Sequence, residues 1–262
     1  MTTPVEQALA RVEDEQDHIR ELRSGFDVFE REVRQLSAVS PRSQRQASQA
    51  AAGGTVAATQ PLGGNAGKRD RCAKVRDLFA DHVQARVRVG NEPLLETVRG
   101  ELGDRVALAL APTTDTGFTE TVKSELLSVT EQRQTKLDAM ERALDTEAAS
   151  LQQAIEAIPE VEHSLEPTHG PLLTLGFTEL QARHNALLSC ERRLEGLVQS
   201  RQQHLHAATG ADAAVGLTHH SLAEYLYDSL ATPHPVLSTL TELTAYCREQ
   251  KRAVRDHLTR RV

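Results

Sequence analysis

The chain has 262 residues, of which 39 % are apolar, 3 % aromatic and 26 % charged, and 30 basic against 37 acidic side chains give a formal net charge of −7. It is long enough for a core of one or two domains, and its composition excludes a wholly disordered chain, a collagen and a disulfide scaffold. The longest apolar run, Val106 to Ala111, is far short of the ~20 residues that a bilayer span needs, and a mild acidic excess disfavours broad attraction to nucleic acid or anionic lipid.

Residues 4–36 read as one long helix. Pro4 suits the first turn, where its missing N–H is not needed. Val5, Val12, Ile19, Phe26 and Val33 recur every seven residues, and Ala8, Glu15, Leu22, Phe29 and Leu36 follow three places later. This is an a/d heptad pattern with one polar break at Glu15. Such a stripe needs a partner, because propensity alone does not hold an isolated helix. The partner is either the hairpin described below or another chain. Phe26 and Phe29 are wide for a two-stranded seam and favour a mixed bundle or a partner groove.

Residues 37–70 are rich in Ser, Gln, Ala, Gly and Thr, with Val39, Val56 and Leu62 almost the only large apolar side chains. Too little surface can be buried there to offset chain entropy, so the expectation is a flexible linker with a root-mean-square span of roughly 30–35 Å. Residues 71–111 hold two helices. Cys72, Val75, Leu78, Phe79, His82 and Val83 make one apolar face, Gly90-Asn91 breaks it, and Leu94, Leu95, Val98, Leu102, Val106, Ala109 and Leu110 make the second.

Residues 119–165 read as one very long helix with a column at Leu137, Leu144, Leu151, Ile158 and Leu165. Pro159 is expected to kink or interrupt its last turns. After the breakers Pro167, Gly170 and Pro171, a further helix runs over 171–206, with a column at Leu173, Leu180, Leu187 and Leu194 and a capping box at Thr178 and Gln181. Folding the chain near His169 sets Ile158 against Leu180, Leu151 against Leu187 and Leu144 against Leu194, an antiparallel hairpin. Thr218 is expected to cap a short helix with Leu222, Tyr225, Leu226 and Leu230 inward. Pro233 and Pro235 precede a last helix carrying Val236, Leu237, Leu240, Leu243, Tyr246, Cys247, Val254 and Leu258. No strand alternation is found.

The expected fold is therefore all-α: a long antiparallel helical hairpin, a coiled-coil-like arm over about 131–206, on a small helical body of residues 71–130 and 207–262, all within one helical domain 71–262. A separate heptad helix at 1–36 is tethered by the linker 37–70.

The segments Val75-Arg-Asp-Leu-Phe79, Glu92-Pro-Leu-Leu-Glu96 running to Leu110, Phe118-Thr-Glu-Thr-Val122, Leu222-Ala-Glu-Tyr-Leu-Tyr-Asp-Ser-Leu230 and His234-Pro-Val-Leu237 follow an acidic heptad helix and a Gly/Ala linker. In that order, over nearly the whole chain, they resemble an uncharacterised all-helical family of halophilic archaea. The resemblance implies a helical fold and the cytoplasm of a salt-adapted cell, and no activity.

Each chemical motif has a plainer alternative. His204 and His206 are two apart and fall on different sides of a helix, and His219-His220 are adjacent. Glu160-Val-Glu-His163 has the Glu-x-x-His spacing of carboxylate di-metal bundles, but no second such motif accompanies it. Cys190 and Cys247 fall on apolar faces, as core thiols do. Cys72, beside Arg71 and Lys74, is a candidate for a lowered thiol pKa. Gly63 to Lys68 lacks the following Ser/Thr and the preceding strand of a phosphate loop. Arg248, Lys251, Arg252, Arg255, Arg260 and Arg261 are a basic cluster, which the dipole at a helix C-terminus favours without any ligand.

The expected site list is therefore empty: no catalytic, cofactor or metal-binding residue is assigned. Three cysteines, odd in number and far apart, argue for a reducing interior. The first residues have neither a basic n-region nor an apolar h-region, so a cytoplasmic protein is expected. The leading expectation is a non-enzymatic interaction or scaffold protein that pairs helices with a protein partner or with itself. The alternative is a nucleic-acid-associated or regulatory protein using the basic last helix.

Overall fold

A computed structural model describes residues 2–39, 66–88, 92–114, 117–166, 171–207 and 219–260, with the backbone alone over 66–70. Eight α-helices are found among them: α1 (Pro4–Gln35), α2 (Ala66–His82), α3 (Leu94–Leu102), α4 (Asp104–Leu110), α5 (Glu120–Leu165), α6 (Phe177–His206), α7 (His219–Tyr227) and α8 (Pro235–Thr259). The fold is all-α. Among the described residues no helix is long and apolar enough to cross a membrane.

The chain divides into two compact units, Asp17–Asp138 and Met1–Gln16 with Ala139–Val262. This differs from the expected body and arm. The last two helices, α7 and α8, pack on α6 and so group with the hairpin rather than with residues 71–130. The linker expected over 37–70 lies outside the described residues at 40–65, and α2 begins at Ala66 rather than after Asp70.

In the unit Asp17–Asp138 the heptad stripe of α1 is buried at Ile19, Leu22, Phe26, Phe29 and Val33. Its two aromatics meet Phe79 of α2 edge to face, with ring centroids 6.4 Å from Phe26 and 5.6 Å from Phe29, the geometry that ring quadrupoles favour. The wide phenyl rings thus serve a mixed bundle. α1 runs antiparallel to the first part of α5: Arg23 pairs with Asp138 at 2.8 Å, Gln134 donates to Asp27 at 2.8 Å, and Lys123 Nζ donates to the carbonyls of Arg34 and Leu36 at 2.7 and 2.8 Å. That lysine satisfies carbonyls that the end of α1 leaves without an internal donor. Val39 N–H then bonds to Phe118 C=O at 2.8 Å, and Thr119 Oγ1 accepts the Val122 N–H at the start of α5. Gly103, at φ 88°, makes the sharp break between α3 and α4, a conformation that a Cβ opposes.

The second glycine with a clear task is Gly25, where α1 and α2 cross. A Cβ built there would stand 2.1 Å from the His82 carbonyl oxygen. Only a residue without a side chain lets the helices approach this closely.

In the other unit, α5 from Ala139 and α6 run antiparallel, with α8 and α7 packed against α6. Both leucine columns are buried: Leu144, Leu151, Ile158 and Leu165 on α5, and Leu180, Leu187 and Leu194 on α6. The register is not the expected one. Arg183 donates to the Leu165 carbonyl at 2.8 Å, and Arg201 and His204 meet Glu147. These partners lie about ten residues further along α6 than the leucine pairing places them, nearly three turns. A slide by two turns brings leucine against leucine again, so heptad periodicity alone does not choose the register.

Further local corrections have simple causes. Leu173 is 74 % exposed rather than part of the column, because α6 begins only at Phe177. Its start is held by the Glu179 carboxylate, which accepts the Gly176 N–H at 2.7 Å, two residues ahead of the expected Thr178 cap. α5 continues through Pro159 to Leu165; the proline is exposed, where solvent can take the carbonyl that its missing N–H leaves free. On α7 the inward aromatic is Tyr227, fully buried, and Tyr225 is 61 % exposed. Thr218, its expected cap, lies outside the described residues.

Replacing Gly25 with alanine is expected to lower stability by about 2 kcal/mol, from overpacking against backbone. Gly100→Ala on α3, where nothing lies within 4 Å, is expected to raise it by about 0.5–1 kcal/mol. Urea unfolding of the two variants checks both signs.

Candidate functional site

Glu147 lies three residues beyond Leu144 and four before Leu151, on the apolar face of α5, and only 1 % of its side chain is accessible. A carboxylate there has a large desolvation cost unless it is fully paired. Arg201 of α6, 4 % accessible, supplies a two-pronged contact: Nη2 to Oε1 at 2.7 Å and Nη1 to Oε2 at 3.0 Å. His204, one turn further on, places Nε2 2.6 Å from Oε2. Tyr227 of α7 donates its hydroxyl to Oε1. Arg201 Nη1 also donates to Ser150 Oγ at 2.8 Å. The His204 ring packs against that of His219, 4.8 Å between centroids.

Burial works to raise the Glu147 pKa, but the His204 bond, the Arg201 bond and charge, and the Tyr227 bond outweigh it and hold the carboxyl at about 2. Glu147 is therefore an anion at neutral pH, and an anionic carboxylate only accepts. His204 Nε2 accordingly carries the donated proton. Burial, then the charge of Glu147 and its hydrogen bond, push the Tyr227 hydroxyl far above its ordinary value, so it stays protonated and donates.

The chemistry of the cluster follows from a count of lone pairs. Each Glu147 oxygen accepts two hydrogen bonds, Oε1 from Arg201 and Tyr227 and Oε2 from Arg201 and His204. All four acceptor directions of the carboxylate are in use, which leaves none for a substrate proton. The adjoining cavity, lined by Ser150, Ile158, Leu197, Arg201, Val236 and Leu240, has about 50 Å³, room for a water or two rather than for an organic substrate. The arrangement joins α5, α6 and α7 at one level and opposes sliding of α5 against α6.

The motifs singled out in the sequence are dispersed. Glu160 pairs with Arg193, and His163 stands 3.4 Å from Glu166, both exposed. His206 Nδ1 contacts the Gln202 carbonyl at 2.6 Å, and the ring of His220 lies 6.0 Å from that of His234. Among the described residues, no three His, Cys, Asp or Glu side chains are grouped to hold a metal ion. Cys72 is corrected in sign: its buried position raises the thiol pKa, and Arg76 only partly offsets this. Of Gly63 to Lys68, the first three residues lie outside the described set and the rest open α2. In the basic cluster, Arg248 and Lys251 pair with Glu191, Arg252, Arg255 and Arg260 are exposed, and Arg261 lies outside the described residues.

Residue-by-residue reasoning missed the Glu147 cluster, although two signals pointed to it. Arg201 is the next position of the column Leu180, Leu187, Leu194, and Glu147 falls between two leucines of the other column. Charges on both apolar stripes of one hairpin call for each other.

Since folding lowers the Glu147 pKa from 4.5 to about 2, its contribution to stability is full above about pH 4.5 and is lost as the pH falls to about 2. That shift corresponds to about 3 kcal/mol. Glu147→Gln is expected to destabilise the protein by about 3 kcal/mol at pH 7, because it leaves Arg201 buried without its counter-charge. The same variant is expected to flatten the acid limb of the stability curve between pH 4.5 and 2. Urea titrations across that range check both.

No curated protein and no solved structure matches the chain. A family model described as a domain of unknown function, DUF7260, matches residues 3–251. That match covers both compact units and the whole of the Glu147 cluster, and by it the protein belongs to the DUF7260 family.

Proposed function

We propose that the protein is a non-enzymatic helical interaction or scaffold protein that recruits a protein partner, or a second copy of itself, through its hairpin. The observation that carries this reading is the saturated Glu147 carboxylate. This buried acid has no free acceptor direction, and it acts as a lock on helix register rather than as an acid or base.

The surface offered to the partner is the turn of the hairpin rather than the heptad helix. The α1 stripe is buried within the chain, so coiled-coil pairing through it would require α1 to leave its place. Leu173 and Phe177, by contrast, are 74 % and 50 % exposed at the start of α6. Large apolar groups together at the end of a helical hairpin are the kind of surface a partner covers. The free cysteines support a reducing, cytoplasmic setting, and the resemblance described above supports a halophilic archaeal source. The nucleic-acid alternative has less to stand on, because Arg248 and Lys251 are already engaged by Glu191.

The test compares capture from native cells at native salt by the full chain and by a Leu173→Asp, Phe177→Asp variant, with light scattering of both for self-association. The expected result is a partner, or a dimer mass, present with the first and lost with the second. Identical capture and identical mass would overturn the role of the hairpin turn. Nucleic acid retained by both would favour the basic helix instead.

A further inference from the structure

α8 packs along α6 in the opposite chain direction, and the contact is closed on one side by Glu191, which pairs with Arg248 at 3.3 Å and with Lys251. The residues just before Glu191 and Arg248 are Cys190 and Cys247. The Cys247 S–H donates to the Leu187 carbonyl at 3.5 Å, one turn before Cys190 on the same face of α6, which sets Cys247 at the level of Cys190. Both are free and buried, Cys190 5 % and Cys247 0 % accessible. Packing alone asks only for small apolar groups at these positions and does not require sulfur on both helices at one level.

We infer that Cys190 and Cys247 are a redox site: a two-electron oxidant of the peroxide class converts this dithiol into a disulfide that ties α8 to α6. The order of attack follows from the surroundings. Burial raises the Cys190 thiol, but the Cys247 S–H, Arg193 and Arg183 act in the other direction. At Cys247 burial, Cys190 and Glu191 all act to raise it, to about 11. Cys190 is 5 % accessible against 0 % for Cys247, so it is the thiol a peroxide reaches first and the attacking one. Its thiolate attacks one peroxide oxygen, the O–O bond breaks, and hydroxide leaves and takes up a proton as water. The Cys247 sulfur then attacks the resulting sulfenic sulfur, the S–O bond breaks, and a second water leaves. Two thiols lose two hydrogens and two electrons, and one peroxide becomes two waters.

The test treats the full-length protein with hydrogen peroxide, alkylates the remaining thiols, and maps the non-reduced digest by mass spectrometry. The expected product is a Cys190–Cys247 cross-link within one chain, with a mass loss of two hydrogens and Cys72 still alkylated. A thermal midpoint on the order of 5 °C higher, reversed by dithiothreitol, is expected with it. Cys190→Ala is expected to abolish the cross-link, and Cys247→Ala to leave a trappable sulfenic acid at Cys190. All three thiols still alkylating at peroxide levels that oxidise Met140 would overturn the inference. So would a cross-link through Cys72 or between two chains. The wild-type digest decides this whether or not the alanine variants fold.

Discussion

The hairpin unit depends on one buried charge. Glu147 sits where a leucine would satisfy the helix equally well, and its anion is tolerable only with Arg201, His204 and Tyr227 in place. A slide of α5 against α6 by one turn would keep apolar contact along most of the columns. It would also leave a carboxylate and a guanidinium buried and separated, at a cost of several kcal/mol. Apolar burial provides the bulk of the stability here, and the ionic cluster selects among arrangements that apolar burial leaves nearly equal. α7 is drawn into the same choice through its single buried hydroxyl.

The unit Asp17–Asp138 reaches a unique arrangement by different means. Its core is apolar, and its specificity comes from shape and from helix ends. The absence of a side chain at Gly25 sets how closely α1 and α2 cross. Phe79 fits between two rings of α1. Lys123, Arg76 and Arg133 each reach a group that would otherwise lack a partner: the carbonyls ending α1, the Leu110 carbonyl ending α4, and Glu101 of α3. These contacts have modest worth individually, but each becomes an unsatisfied polar group if the helices shift.

Together these features bear on function. The apolar stripes that made the chain look like a pairing device are used in its own folding, α1 included. Among the described residues, the large apolar side chains left outside are Leu108, Leu173, Phe177, Tyr225 and Tyr246. A scaffold reading built on heptad patterns alone would look for partners along faces that the chain itself buries.

The sequence by itself determined the all-α class, the extent of the long helices and the leucine columns among their buried positions. Those follow from periodicity, which is local and repeats often enough to be read, as in Val5 to Val33 and Leu137 to Leu165. Tertiary structure alone decided the hairpin register, the partner of α8, the inward choice of Tyr227 over Tyr225, and the meeting of Glu147 with Arg201. The reason is physical. A repeat of seven specifies which face is apolar and is nearly silent on how far one helix slides along another. Register is set by single residues that break the repeat, and the worth of each depends on a partner more than fifty positions away. Arg201 is visible as a break in its column and Glu147 as a charge between two leucines of the other, but only the folded chain shows that they meet.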